Sequence, residues 1–147
     1  MTICFDMDGT IFDLYGVENW LDYLIAENPL PYEVAKPMIN FSRLARYIHK
    51  AQAKGHKVEI ISWLSKNSTD NYDIMVTEAK RQALVEHLPS VIFDNVYIVP
   101  YGTPKSEVTN SENAILFDDE ERNRNEWTKG NAYSPDMIFE ILKELIA

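Results

Sequence analysis

The stretch Cys4–Gly16, CFDMDGTIFDLYG, decides how the whole chain is read. An apolar run ends on two carboxylates, Asp6 and Asp8, with one residue between them and Gly9-Thr10 directly behind. On an extended strand alternate residues share a face, so these like charges stand roughly 6–7 Å apart and repel. Left bare they cost stability. A bound cation is the expected offset.

Outward from this stretch, apolar segments alternate in type. Thr2–Asp6 predicts a short buried strand, and Val17–Asn28 a helix with Trp20, Leu21, Leu24 and Ile25 at helical spacing. That spacing assigns Trp20 to core packing, and leaves Trp63 as the aromatic expected in a pocket. The proline-rich run NPLPYEVAKP (Asn28–Pro37) reads as a connection. Asn40 caps a second helix whose face is Phe41, Leu44, Ala45, Ile48 and Ala51, and Gly55 stops it. HKVEIIS ends a second strand at Ser62, and Asn67–Asp70 opens a helix running to about His87. NVYIVP and NAILFDD predict two more strands, and Ser134-Pro135-Asp136 starts a final helix. This alternation predicts an α/β domain with a parallel sheet.

The composition fits that reading. The 147 residues, 46% hydrophobic and 25% charged, suit a single domain with one core, residues 1–147. A lone cysteine, Cys4, forms no internal disulfide and reads as core, consistent with a cytoplasmic protein. No apolar stretch has the length of a membrane helix, and a carboxylate pair within the first ten residues leaves no room for a signal peptide. A net charge of −9 disfavours extended nucleic-acid contact. The expected partner is therefore a small phosphorylated molecule, drawn in locally by a metal or a placed lysine. Oligomeric state is not legible.

In a doubly wound sheet, ligands bind at the carboxyl ends of the strands. Here those ends carry Asp6 and Asp8, then the Ser62 hydroxyl, then Lys105 in PYGTPK after the third strand, then Asp118-Asp119. Several carboxylates, with Cys4 read as core and no His nearby in sequence, make a hard oxygen site suited to Mg²⁺. A carboxylate aimed at phosphorus can act as a covalent nucleophile, and its neighbour can protonate the leaving oxygen and later activate water. Plainer readings stand beside these. Asp6 and Asp8 could be turn carboxylates, Asp118-Asp119 could cap a helix over EERNRNEW, and Ser62 could be an ordinary strand-end serine. Lys66 and Lys80 compete with Lys105 for the phosphate. His49, His56 and His87 lie away from the strand ends.

DMDGT, Ser62, Lys105 and DD, in this order, resemble the four motifs of the haloacid dehalogenase (HAD) superfamily of phosphohydrolases. The resemblance implies a three-layer Rossmann-like fold, with Asp6 as nucleophile and Asp8 as acid/base. It implies that Ser62, the Trp63 amide and Lys105 hold phosphate. It places Mg²⁺ on Asp6, the carbonyl of Asp8 and Asp118, with Asp119 behind. The segment EAKRQALVEHLPSVIFDNVYIVPYGTPK, followed by ILFDD, is also similar to the deoxyribonucleotidases of that superfamily, which implies a nucleoside monophosphate substrate. Those enzymes carry a substantial helical cap after the first motif. Only residues 12–40 are available for one here, enough for a flap, one helix and a loop. Near-capless relatives often accept macromolecular substrates.

Other functions meet specific obstacles. A two-component receiver domain needs its phosphoacceptor after the third strand, where VPYG offers no carboxylate. A P-loop kinase needs GxxxxGK[ST], which is absent. The remaining rival is a HAD-like domain that binds a phosphorylated ligand or partner without turning it over. Asp8 argues against it, because a binder can dispense with the acid/base side chain.

Overall fold

The computed structural model describes residues 1–147. Five parallel strands, β1 (Thr2–Phe5), β2 (Lys57–Trp63), β3 (Asn95–Val99), β4 (Ala114–Phe117) and β5 (Ala132–Tyr133), form one sheet in the order β3-β2-β1-β4-β5. The order reverses between β1 and β4, so the chain winds outward in both directions from the centre. This is the expected doubly wound α/β, Rossmann-like fold. Phe5 pairs with Phe117, so Asp6 and Asp118 leave the sheet at the same level.

Alternation along β1 sorts the side chains onto two faces. Ile3 and Phe5 join Val58, Ile60, Ile115 and Phe117 in the main core, with the Phe5 and Phe117 rings stacked 5.2 Å apart. Helices α3 (Phe41–Ala53) and α6 (Ile138–Ile146) cover this face through Leu44, Ile48, Ile141 and Leu142. The long α4 (Asp70–His87) adds Ala83 and Leu84. The opposite face is covered more thinly. Cys4, Ile61, Leu116 and Trp127 make a small cluster under the 3₁₀ turn Lys105–Glu107 and α5 (Glu121–Glu126).

On that thin face β2 buries a carboxylate. Glu59, 3% exposed, accepts hydrogen bonds from Thr109 Oγ1 and Asn95 Nδ2, both at 2.7 Å, and from the Cys4 thiol. Ser106 holds the same segment from its other side, accepting from the Thr128 amide at 2.8 Å. Lys105 directly precedes this anchored segment.

The insertion after β1 differs from the expected single helix and loop. The helix predicted over Val17–Asn28 shrinks to α1 (Trp20–Ile25), because left-handed residues Asn19 (φ 60) and Glu27 (φ 53) bracket it. The proline-rich run read as a connection contains α2 (Leu30–Val34), with Pro31 in its first turn. The two ends of the insertion are tied together by Asp13 N–Lys36 O and Met38 N–Ile11 O bonds. Glu27 accepts from both the amide and the hydroxyl of Thr69, the N-cap of α4, and so fastens the insertion to that helix. No helix is long and apolar enough to cross a membrane.

Candidate active site

Asp6, Asp8, Lys105, Asp118 and Asp119 converge at the carboxyl edge of the sheet, on the floor of a cavity of about 840 Å³. Lys105, 4% exposed, donates from Nζ to Asp6 Oδ1 at 2.9 Å and to Asp118 Oδ2 at 2.7 Å. Burial pulls its pKa down, but the adjacent Asp6 and Asp118 charges outweigh this and the net shift is upward. Of the three lysines that compete in the sequence, Lys105 is the one that bridges Asp6 and Asp118.

The loop after Asp6 is shaped by its own backbone. The amides of Thr10, Ile11 and Phe12 all turn back to the Met7 carbonyl. Gly9 sits at φ +78, where a Cβ would fall 2.4 Å from Asp119 Oδ2, so both conformation and space require glycine. Thr10 then docks onto the carboxylates. Its hydroxyl donates to Asp6 Oδ2 at 2.9 Å and accepts from the Asp119 amide at 3.1 Å. With Lys105 on Oδ1 and Thr10 on Oδ2, the Asp6 carboxylate is held by both oxygens.

Asp118 is fully buried. It accepts from the Glu120 amide at 3.0 Å and from Asn123 Nδ2 at 3.1 Å as well as from Lys105. Burial first, and then the charge of Asp6, push its pKa up to about 6, and the same causes raise Asp119 to about 7. Oxygens of Asp6, Asp118 and Asp119 lie within 4.8 Å of one another. An all-oxygen donor set whose members are destabilised by burial and mutual repulsion fits a hard divalent cation. The Asp8 carboxylate stands apart from this trio.

Asp8 Oδ2 instead accepts from Lys80 Nζ at 2.8 Å. Lys80 comes from the middle of α4, is 1% exposed, and also donates to Ser62 Oγ and the Trp63 carbonyl, both at 2.7 Å. Burial is the largest influence on Asp8 and raises its pKa, with Lys80 working against the rise. Ser62 is fully buried on this lysine and does not line the cavity. The hydroxyl-bearing residues that do line it on this side are Ser65, Ser68 and Thr69. Trp63 lines it too. Its indole NH donates to the Thr103 carbonyl at 2.8 Å, and its ring meets Tyr101 edge-on at 5.0 Å.

The wall opposite is α1. None of its residues is buried, and Trp20, Leu21, Leu24 and Ile25, expected as a core stripe, line the cavity instead. Trp20 meets Tyr15 edge-on at 4.9 Å. Sequence reasoning missed Thr10, Asn123 and the role of Lys80. Thr10 follows the quoted carboxylates directly and was legible as a local partner. Lys80 lies 72 residues from Asp8, and nothing local marks it. His87 packs against Phe12 and Phe41, away from the strand ends.

These strand ends, around a Rossmann-like parallel sheet, define a doubly wound α/β fold with an acidic site at its switch point. No family model matches the chain, and no curated protein does. Among solved structures the chain is similar to a D,D-heptose 1,7-bisphosphate phosphatase from Burkholderia thailandensis. Identity is 12% and the TM-score 0.52, over 84% of this chain and 69% of that one. The likeness is one of fold.

Proposed function

We propose that this chain is a Mg²⁺-dependent phosphomonoester hydrolase that works through an aspartyl phosphate, with a nucleoside monophosphate as substrate. One observation carries the reading. Asp6 is clamped by Lys105 and Thr10 at the end of the central strand, beside a carboxylate trio, while Asp8 is held separately at the cavity surface.

Asp6, Asp118, Asp119 and the Asp8 carbonyl would hold the ion. Bound there, Mg²⁺ supplies charge neutralisation for an incoming phosphoryl group. An Asp6 oxygen attacks phosphorus, and the P–O bond to the leaving group breaks as Asp8 gives that oxygen a proton. Asp8, now a carboxylate, takes a proton from the water that cleaves the acyl phosphate and regenerates Asp6. Lys105 keeps Asp6 and Asp118 aligned throughout. The Trp63 amide is proposed to secure the phosphate from the β2 side, whereas Ser62, buried on Lys80 and absent from the cavity wall, braces that strand end without touching phosphate.

The cavity favours a leaving group with a flat apolar ring, because Tyr15, Trp20, Trp63 and Tyr101 all line it. The short insertion, residues 12–40, serves as the cap of a single 1–147 domain in this reading. Hydrolysis of 4-nitrophenyl phosphate should stop in EDTA and return with Mg²⁺, but poorly with Ca²⁺, whose looser shell misplaces the nucleophile. Full activity in EDTA overturns the metal reading. Comparison of kcat/KM for deoxynucleoside monophosphates, sugar phosphates and a phosphopeptide tests the substrate. Preference for either of the latter two overturns the nucleotidase part alone.

A further inference from the structure

We propose that Lys80 is a positioning residue that aims Asp8 at the leaving group, and that it does so without touching substrate. The inference rests on the role of Asp8 proposed above and extends it to a residue 72 positions away.

The hydrogen-bond inventory of Lys80 is complete. An ammonium has three protons, and its three acceptors are Asp8 Oδ2 at 2.8 Å, Ser62 Oγ at 2.7 Å and the Trp63 carbonyl at 2.7 Å. None remains for a phosphoryl oxygen. The side chain is 1% exposed and does not line the cavity, and the Tyr32 ring lies beside the ammonium at 5.2 Å from its centroid. Lys80 is therefore sealed behind the surface that substrate meets. Asp8 is not. Its side chain is 17% exposed and lines the cavity, and its second oxygen, Oδ1, has no hydrogen-bond partner in the protein.

The geometry divides the Asp8 carboxylate into an anchored oxygen and a working one. Lys80 ties Oδ2 to the end of β2, which fixes the rotamer and leaves Oδ1 toward the cavity to give or take the proton. No proton leaves Lys80 in this role. The site thus uses two lysines for two carboxylates. Lys105 holds the nucleophile, and Lys80 holds the acid/base.

The readout is dependence on the leaving group. An aryl phosphate expels a weakly basic phenolate that scarcely needs protonation, whereas an alkyl phosphate expels an alkoxide that does. Asp8→Asn should depress alkyl phosphate turnover far more than aryl phosphate turnover. Lys80→Met should reproduce that pattern, lowering the alkyl-to-aryl kcat ratio ~10–10²-fold, part of the ~10²–10⁴-fold that general acid catalysis supplies. Binding of inorganic phosphate should change less than about threefold, since Lys80 itself makes no phosphate contact and the Trp63 amide is held by strand β2. Combined with Asp8→Asn, Lys80→Met should cost less than about threefold more, because residues acting through one group are not additive. Lys80→Gln, which keeps two donors, should retain more of the ratio and serves if Lys80→Met does not fold.

An equal loss on both leaving groups, or a large loss of phosphate binding, overturns the proposal in favour of a structural or phosphate-holding lysine. So does full additivity with Asp8→Asn. If the unmodified protein hydrolyses neither ester, the phosphatase reading itself fails and this proposal with it. If the unmodified protein and Asp8→Asn behave as expected, only the role of Lys80 is at stake.

Discussion

The floor and the wall of the cavity are built in contrasting ways. Each carboxylate on the floor is met by a donor from the protein itself. Asp6 has Lys105 and Thr10, Asp118 has Lys105 and Asn123, and Asp8 has Lys80. These side chains are buried or nearly so, and no buried polar side-chain atom lacks a partner. The wall from α1 has no such network. Leu21 is 52% exposed and Ile25 74%, and the helix is only six residues long. Preorganised charge suits a step whose transition state develops charge. A loosely held apolar wall suits recognition that tolerates variation in the leaving group. Under the proposed hydrolase function, the difference assigns chemistry to the floor and selectivity to the wall.

The sharpest way to break that division is Asp6→Asn. An amide cannot serve as the phosphoryl acceptor, so turnover should fall to background for every substrate, with retained Tyr and Trp fluorescence confirming the fold. Substantial residual hydrolysis would rule out the covalent route. Asp8→Asn should come second, with a loss of ~10²–10⁴-fold on alkyl phosphates measured by phosphate release. Among nucleotide substrates, both losses should be indifferent to which base is carried.

The same contrast explains what was legible in the sequence. Strand ends on a parallel sheet converge by topology, so the sequence alone groups Asp6, Asp8, Lys105, Asp118 and Asp119. The floor is encoded by residue type at the end of an apolar run. Glu59 and Lys80 escaped, because a carboxylate inside a strand and a lysine inside a helix read as surface positions. Only their partners Thr109, Asn95, Asp8 and Ser62 make them tolerable in the interior. The wall misled in the opposite sense. Trp20, Leu21, Leu24 and Ile25 have core-like spacing, but Asn19 and Glu27 cut the helix short, and it stands beside the cavity. Periodicity reports an apolar face and is silent on whether protein or ligand covers it.

A smaller effect should come from Trp20→Ala. If the ring stacks on a base, its loss should cost ~1–3 kcal/mol of selectivity for nucleotides over a short alkyl phosphate, which has nothing to stack. The kcat on the alkyl phosphate should barely move. Equal losses on both would mean that Trp20 shapes the floor, and the division between the two regions would fail.

The smallest effect sharpens the comparison through stability. Without metal, the folded state keeps protons on Asp118 and Asp119 up to about 6 and about 7, above the ordinary 3.8 of an aspartyl group. Between about pH 4 and 7 the native state therefore binds more protons than the unfolded chain, and stability must fall as pH rises through that window. The penalty is fully present above pH 7 and absent below pH 4. It is moderated by solvent at the half-buried Asp119. Thermal melts in EDTA should show a higher Tm near pH 5 than near pH 7.5, once the general charge dependence is set by a floor-neutral control such as Trp20→Ala. Asp119→Asn removes one of the repelling charges and should raise the metal-free Tm at pH 7.5 by about 2–5 °C. Mg²⁺ should narrow the pH difference in the unmodified protein, because a cation replaces protons as the offset to the cluster. A pH slope identical in Asp119→Asn and Trp20→Ala would mean that the acidic floor carries no special strain, and that the two regions differ in exposure alone.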